Sequence, residues 1–381
     1  DPIWASVFAS KQNASRVLQE GERLVNTRFA HTLQQIADHG VDVFYSGSIG
    51  QALVHHVQAS GGTLTMADMR AYRPVLRQPV HAWYNGYKVL TTGTPSGGHV
   101  LAYMLNILER YELQQHSALS YHRIVEAMRF GFAARSGLGD PQFNDIQDRL
   151  DELLSKDFAA LIRRNISDTT TFPPEHYKQL YHDAPSAGTT HVSVIDSEGL
   201  AVSITSTINT YFGSRVMDPT TGIILNNEMD DFSFSWPNFF GLPPSPSNRL
   251  VPMKRPQSST CPVIVEDNGE VRLIVGGSGG SRILTGVLQT IINYIDFNQS
   301  ITESVIAPRL HDQLFPNKLE AELKFPTKLV KKLRGFHHTV EIMKPDIPGS
   351  VIQGIARAPL DSGRKWEAVS DFRKGGVPAG Y

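Results

Sequence analysis

The order of elements in the sequence predicts an α+β protein in which stacked antiparallel hairpins are covered by helices on both outer faces. Three observations carry this. Apolar positions of helical period dominate residues 15–162, β-prone alternation takes over after residue 188, and helical spacing returns at 282–306. No succession of strand and helix units announces a parallel sheet.

From Ser15 to Gly40, the positions Val17, Leu18, Leu24, Val25, Phe29, Leu33, Ile36 and Ala37 fit amphipathic helix, with Gly40 as its stop. A second helix, Ile49 to Ser60, ends at Gly61-Gly62. His55 and His56 lie on it, but adjacent helical residues point about 100° apart and do not read as a metal pair. Thr65 to Tyr72 is a short helix with a capping pattern in Thr65 and Asp68. Val80 to Tyr84 and Tyr87 to Leu90 flank Asn85-Gly86, the strongest short hairpin signal in the chain. The run Thr94-Pro95-Ser96-Gly97-Gly98 then opens a helix from His99 to Tyr111. It is either an anion-holding helix start or a structural loop.

Helices follow at Tyr121 to Ser136 and Asp148 to Ile162. Asn165 to Gly188, with Pro173-Pro174 and Pro185, has no periodicity and reads as an exposed linker. Downstream come a hairpin over 189–209, strands at Gly222 to Leu225, Cys261 to Glu266 and Val271 to Val275, helices at Arg282 to Phe297 and Thr302 to Ile306, and strands near Thr339 to Met343 and Trp366 to Val369.

With 381 residues, 40% hydrophobic and 19% charged, the chain has core enough for one large or two smaller domains. A net charge of -1 argues against nucleic acid or an anionic membrane as partner and leaves small-molecule chemistry. The single Cys261 excludes a disulfide framework and a cysteine-rich zinc site; no cofactor and no metal is expected. Asn13, Asn165 and Asn298 begin N-x-S sequons, acceptors for glycosylation on a secretory route. No apolar run approaches the ~18 residues of a membrane span. Asp1-Pro2-Ile3-Trp4 reads as the middle of something, so the expectation is a chain lacking its front part.

Chemistry centres on Ser186-Ala187-Gly188-Thr189-Thr190-His191, where a flexible approach meets a strand. A threonine hydroxyl is a poor nucleophile unless a base stands beside it, and a chain cut before Thr189 would supply its own α-amine. Gly188 suits such a cut because a residue without Cβ tolerates strained backbone. The plain alternative is an ordinary strand start. Asn226-Asn227-Glu228-Met229-Asp230-Asp231 invites a paired-carboxylate reading, although neighbours in extended chain face opposite ways, so only one of Asp230 and Asp231 serves a given pocket. Gly276-Gly277-Ser278-Gly279-Gly280 satisfies the G-x-S-x-G elbow, with Ser278, Asp312 and His337 as a conceivable triad.

The runs Thr189 to Val194, Ser206-Thr207-Ile208-Asn209, Tyr211 to Ser214, Gly222 to Ser233, Pro243 to Pro246, Ser258-Ser259 and Arg373-Lys374-Gly375-Gly376 closely resemble the small subunit of the γ-glutamyltransferases (γ-glutamyl transpeptidases). Gly97-Gly98 and Leu105 to Glu109 extend the resemblance into the C-terminal part of that family's large subunit. It implies a four-layer αββα sandwich of the N-terminal-nucleophile hydrolase type. It also implies a division into residues 1–188, the C-terminal part of the large-subunit region, and 189–381, the small-subunit region with the nucleophile. Thr189 matches the nucleophile and, with Gly188, the autocleavage point. Thr207 matches the threonine bonded to it. Asn209, Glu228, Asp231, Ser258 and Ser259 match substrate contacts, the carboxylates taking the α-ammonium and the serines the α-carboxylate. Gly279 and Gly280 match the oxyanion hole, and Phe240 an aromatic on a lid loop.

The expected function is γ-glutamyl transfer or hydrolysis on glutathione and related γ-glutamyl amides, with water, an amino acid or a dipeptide as acceptor. The partner of the small-subunit region is then the chain's own large-subunit region. The family's setting is extracellular, cell-surface, vacuolar or periplasmic. An arginine that the family uses to grip the α-carboxylate would precede Asp1, which keeps open an inactive truncated paralogue. A cephalosporin-type acylase of the same fold stays open too, with Glu228, Asp231, Ser258 and Ser259 speaking against it.

Overall fold

The computed structural model describes residues 1–181, 189–233, 243–344, 349–359 and 362–380. Gly188 of the expected cleavage point and Phe240 of the expected lid lie outside the described residues. The chain forms two compact units, 1–76 with 210–227 and 77–209 with 228–381, so each unit draws on both sides of the 188/189 boundary.

The first unit holds helices α1 (Pro2–Phe8), α2 (Thr27–His39), α3 (Asp42–Tyr45), α4 (Ser48–Ala59) and α5 (Met66–Ala71). Helix does not begin at Ser15. Arg16 pairs with Glu22 at 2.7 Å across a looped stretch, and α2 starts where the Asn26 side chain caps the Phe29 amide at 3.0 Å. Thr65 and Asp68 form the reciprocal capping box at α5. Gly222 to Leu225 makes one isolated bridge, Met217 to Ile224, rather than a strand. Carbonyls there are spent on helix α2 instead: Thr32 donates to Thr221 O at 2.8 Å and Asn26 to Gly222 O at 3.2 Å.

The second unit runs β1 (Val80–Tyr84), β2 (Tyr87–Thr91), α6 (Gly98–Leu108), α7 (Ala118–Arg135), α8 (Gln147–Leu154), α9 (Lys156–Arg163), β3 (Thr189–Ile195), β4 (Ala201–Thr207), β5 (Val263–Asp267), β6 (Glu270–Ser278), α10 (Arg282–Ile295), α11 (Ile301–Ile306), β7 (Leu310–His311), β8 (Leu319–Ala321), α12 (Thr327–Gly335), β9 (Val340–Ile342), β10 (Val351–Arg357) and β11 (Trp366–Ser370). The helix expected over 148–162 is two helices, because Ser155 adopts extended backbone and caps the Phe158 amide. Residues 165–181 are not a free linker: Tyr177 is buried, and Ser167 and Thr171 are bonded to His122 and Glu126 of α7.

Six antiparallel strands form the main sheet in the order β1-β2-β5-β6-β10-β11. Side chains alternate across it. Leu273 and Val275 of β6 join a core with α6, α7 and α10. Ile274 and Gly276 face the other way, toward the β3–β4 hairpin. Helices, six-stranded sheet and hairpin are thus three successive layers of an α+β fold. The hairpin's outer face, where the four-layer plan has its last helices, is exposed: Val192, Val194, Val202 and Ile204 keep 44–54% of their surface.

The hairpin is seated through one close approach. The His191 ring lies so tightly over Gly276 that a Cβ there would overlap it, and the same ring bonds Thr205 at 2.8 Å and Ser193 at 3.1 Å. Gly276→Ala is therefore expected to push the hairpin off the sheet and to cost about 1–3 kcal/mol, read as a lowered midpoint in denaturant unfolding.

Candidate active site

Register places the first candidate pair. Thr189 opens β3 directly opposite Thr207, the last residue of β4, and both point to the inner face because the period is two. Thr189 is buried, and its hydroxyl donates to Thr207 Oγ1 at 3.1 Å. Thr207 Oγ1 also accepts the Asn209 amide at 2.9 Å, and its own proton goes to the Glu228 carboxylate. One hydroxyl therefore uses both lone pairs and its proton, which fixes its rotamer.

Asn209 is buried with φ +73, a strained conformation for a residue with a side chain. Its amide bond to Thr207 and its side-chain bond to the Asp231 carboxylate hold it there.

Glu228 to Asp231 is a single turn of 3-10 helix, not the extended chain the sequence suggested. Residues three apart eclipse in that geometry, so Glu228 and Asp231 share one face while Asp230 is exposed. Burial raises the Glu228 pKa. Asp231 is pushed up to about 7 by burial and by the Glu228 charge, against a downward pull from the Arg135 guanidinium and the Asn209 bond. Asp231 Oδ1 is buried with no hydrogen-bond partner among the described residues. A buried and a half-buried carboxylate on one face ask for a cation.

Asn248 ties the acidic turn to the serine pair. Its Nδ2 donates to Asp231 O at 2.7 Å and its Oδ1 accepts the Gln257 amide at 2.9 Å. Ser258 and Ser259 follow at once, the Ser258 amide bonded to Pro95 O at 2.9 Å and Ser259 buried. The Thr94 to Gly98 run is the structural loop of the two alternatives: the Gly97 amide goes to Thr260 O and the Thr94 amide to His99 Nδ1.

Gly279 and Gly280 have φ of +120 and +62 at the end of β6. They are linked to the nucleophile candidate by a residue to which the sequence assigned no role. Lys374 Nζ donates to Thr189 O at 2.6 Å and reaches Ser278 Oγ at 3.4 Å, and burial lowers its pKa. The motif containing Lys374 was visible; its partner 185 residues earlier was not.

The elbow reading fails on topology and partners. Ser278 ends a strand paired antiparallel with β10, Asp312 is committed to Arg129 at 3.1 Å, and His337 bonds Thr170 at 3.0 Å.

A family model described as gamma-glutamyltranspeptidase matches residues 1–381. The chain is 40% identical over 389 residues to glutathione hydrolase proenzyme 1 of Schizosaccharomyces pombe, an alignment covering 100% of this chain and 61% of the relative. It is 39% identical over 379 residues to glutathione hydrolase 2 of Arabidopsis thaliana, covering 93% of this chain and 64% of the relative. The chain thus spans about three fifths of the length of these curated relatives. Among solved structures it is similar to a cephalosporin acylase from Bacillus halodurans, with a TM-score of 0.82 and 24% identity over 98% of this chain and 65% of that one. That likeness speaks for the fold alone, the expected α+β architecture. With the family match running over every residue, the chain belongs to the gamma-glutamyltranspeptidase family.

Proposed function

We propose that the chain catalyses γ-glutamyl transfer or hydrolysis on glutathione and related γ-glutamyl amides, through a γ-glutamyl ester of Thr189 formed after cleavage at Gly188-Thr189. The observation that carries this reading is the unbroken line from the Thr189 hydroxyl through Thr207 to Glu228, with Asp231 on the same face of the next turn. A hydroxyl nucleophile and an ammonium-binding carboxylate pair sit in one hydrogen-bonded unit. The relatives named as glutathione hydrolases support the substrate class.

Cleavage converts the Thr189 amide into a free α-amine. As Thr189 Oγ1 attacks the γ-carbonyl, that amine takes the hydroxyl proton, and the proton passes to the departing amine when the C–N bond breaks. Backbone N–H groups of Gly279 and Gly280 receive the oxyanion, each donor contributing about 3 kcal/mol to the transition state. Glu228 and Asp231 hold the α-ammonium, and Ser258 and Ser259 donate to the α-carboxylate. Water, an amino acid or a dipeptide then attacks the ester, gives its proton to the α-amine, and Thr189 Oγ1 leaves with it. Lys374 keeps the Thr189 carbonyl from rotating through these steps.

The deciding experiment uses the purified full chain with a γ-glutamyl anilide and, beside it, a cephalosporin with a removable acyl side chain. Turnover of the anilide, with intact mass showing two fragments that meet at Gly188 and Thr189, is the expected result. Turnover of the cephalosporin alone would overturn the substrate assignment, and a cut chain inert toward both would mark an inactive paralogue.

A further inference from the structure

We propose that His122, Glu126 and His338 are the protein ligands of a structural site for a divalent transition metal, of the kind Zn2+ fills. The proposal is independent of the γ-glutamyl chemistry and uses none of its residues.

His122 and Glu126 stand four apart on α7, so they project from the same face one turn above the other. His338 joins them from the residues just before β9. All three are buried, and one ligand atom from each lies within 4.8 Å of the other two. His122 Nε2 is 2.7 Å from Ser167 O, which assigns its proton to that nitrogen and leaves Nδ1 as a bare lone pair. His338 Nε2–H donates to that lone pair at 2.8 Å, and a bound metal ion would take the place of this proton. Glu126 is braced on both oxygens, by Thr171 at 2.6 Å and Tyr177 at 2.7 Å. A carbonyl behind one imidazole and hydroxyls behind the carboxylate are what orient metal ligands from outside.

The carboxylate is held by hydroxyls rather than by a direct ion pair. Glu126 is 0% exposed, yet no ion pair reaches it among the described residues. Arg129, one turn further along α7, is spent on Asp312, Phe172 O and Asn317. A divalent cation among two neutral imidazoles and one carboxylate answers all three groups. The set of two histidines and one glutamate suits zinc, at bond lengths of about 2.0–2.2 Å that need shifts of roughly 1 Å or less.

A cavity of about 240 Å³ adjoins the cluster through Thr171 and is lined also by Phe172, Asn317 and His337. Once bound, the metal would staple residues 167–177 and the start of β9 to α7, which makes its role one of stability.

The test uses the full chain stripped with a chelator and dialysed, with Co2+ alone as the first probe. One equivalent should bind with visible d–d bands that Zn2+ bleaches, and Zn2+ at roughly 100 times its Kd should raise the thermal midpoint by about 3 °C. Glu126→Gln and His338→Gln should each abolish the bands and weaken binding at least about 100-fold. X-ray absorption on the wild-type Zn2+ complex needs no variant and should report two imidazoles and no sulfur. Absence of the bands, unchanged affinity in both variants, or fewer than two imidazoles in the absorption spectrum would each overturn the proposal.

Discussion

Thr189→Ala is expected to leave the chain in one piece and to lower γ-glutamyl anilide turnover by at least about 10^4-fold. Both effects come from one atom. Without Oγ1 nothing attacks the Gly188 carbonyl, so no α-amine is released, and nothing accepts the glutamyl group. Folding should survive, since the hydroxyl contributes a single bond to Thr207, worth about 1 kcal/mol. Thr189→Ser, which keeps the oxygen, should still cut itself. Gel electrophoresis and the anilide assay read the two effects separately, and an alanine variant that still splits before residue 189 would remove Thr189 from the mechanism.

The second large effect concerns Asp231. To hold an α-ammonium it must be ionised, but burial and the Glu228 charge raise its pKa to about 7, with Asp230 adding to the rise and Arg135 and Asn209 opposing it. Below about 7 the ligand must first displace a proton. Affinity for L-glutamate should therefore strengthen by up to about tenfold per pH unit as pH rises toward 7, and level off above it. Asp231→Asn should bind L-glutamate about 100-fold more weakly at pH 8 and lose the limb near 7. Isothermal titration across pH 5.5 to 8.5 (about one and a half units on either side of the value at which the charge is lost) measures both. A variant that retained the wild-type slope would show that another group carries the proton.

Much of this was legible in the sequence because it is local. Alternation over 189–207 set the register that pairs Thr189 with Thr207, and Asn85-Gly86 marked the β1–β2 turn. The acidic turn was legible in composition but not in conformation. Its extended reading separated Asp230 from Asp231 for the wrong reason, and only the 3-10 turn explains why Glu228 joins Asp231. Strands β7 and β8, with two and three residues, are too short to show a period at all. Long-range side-chain partners left no trace either: His122 and His338 stand 216 positions apart, and nothing in either neighbourhood points to the other.

Lys374 also bears on the order of events during synthesis. The ammonium that clasps the Thr189 carbonyl is made 185 residues after it, so a ribosome must read almost two hundred further codons before the scissile region is gripped. A half-made polypeptide has no ammonium on the Thr189 carbonyl. With cleavage at Gly188-Thr189 as proposed, self-cutting is coupled to the arrival of distant sequence, and the halves separate covalently only once the sheet that keeps them together has been built.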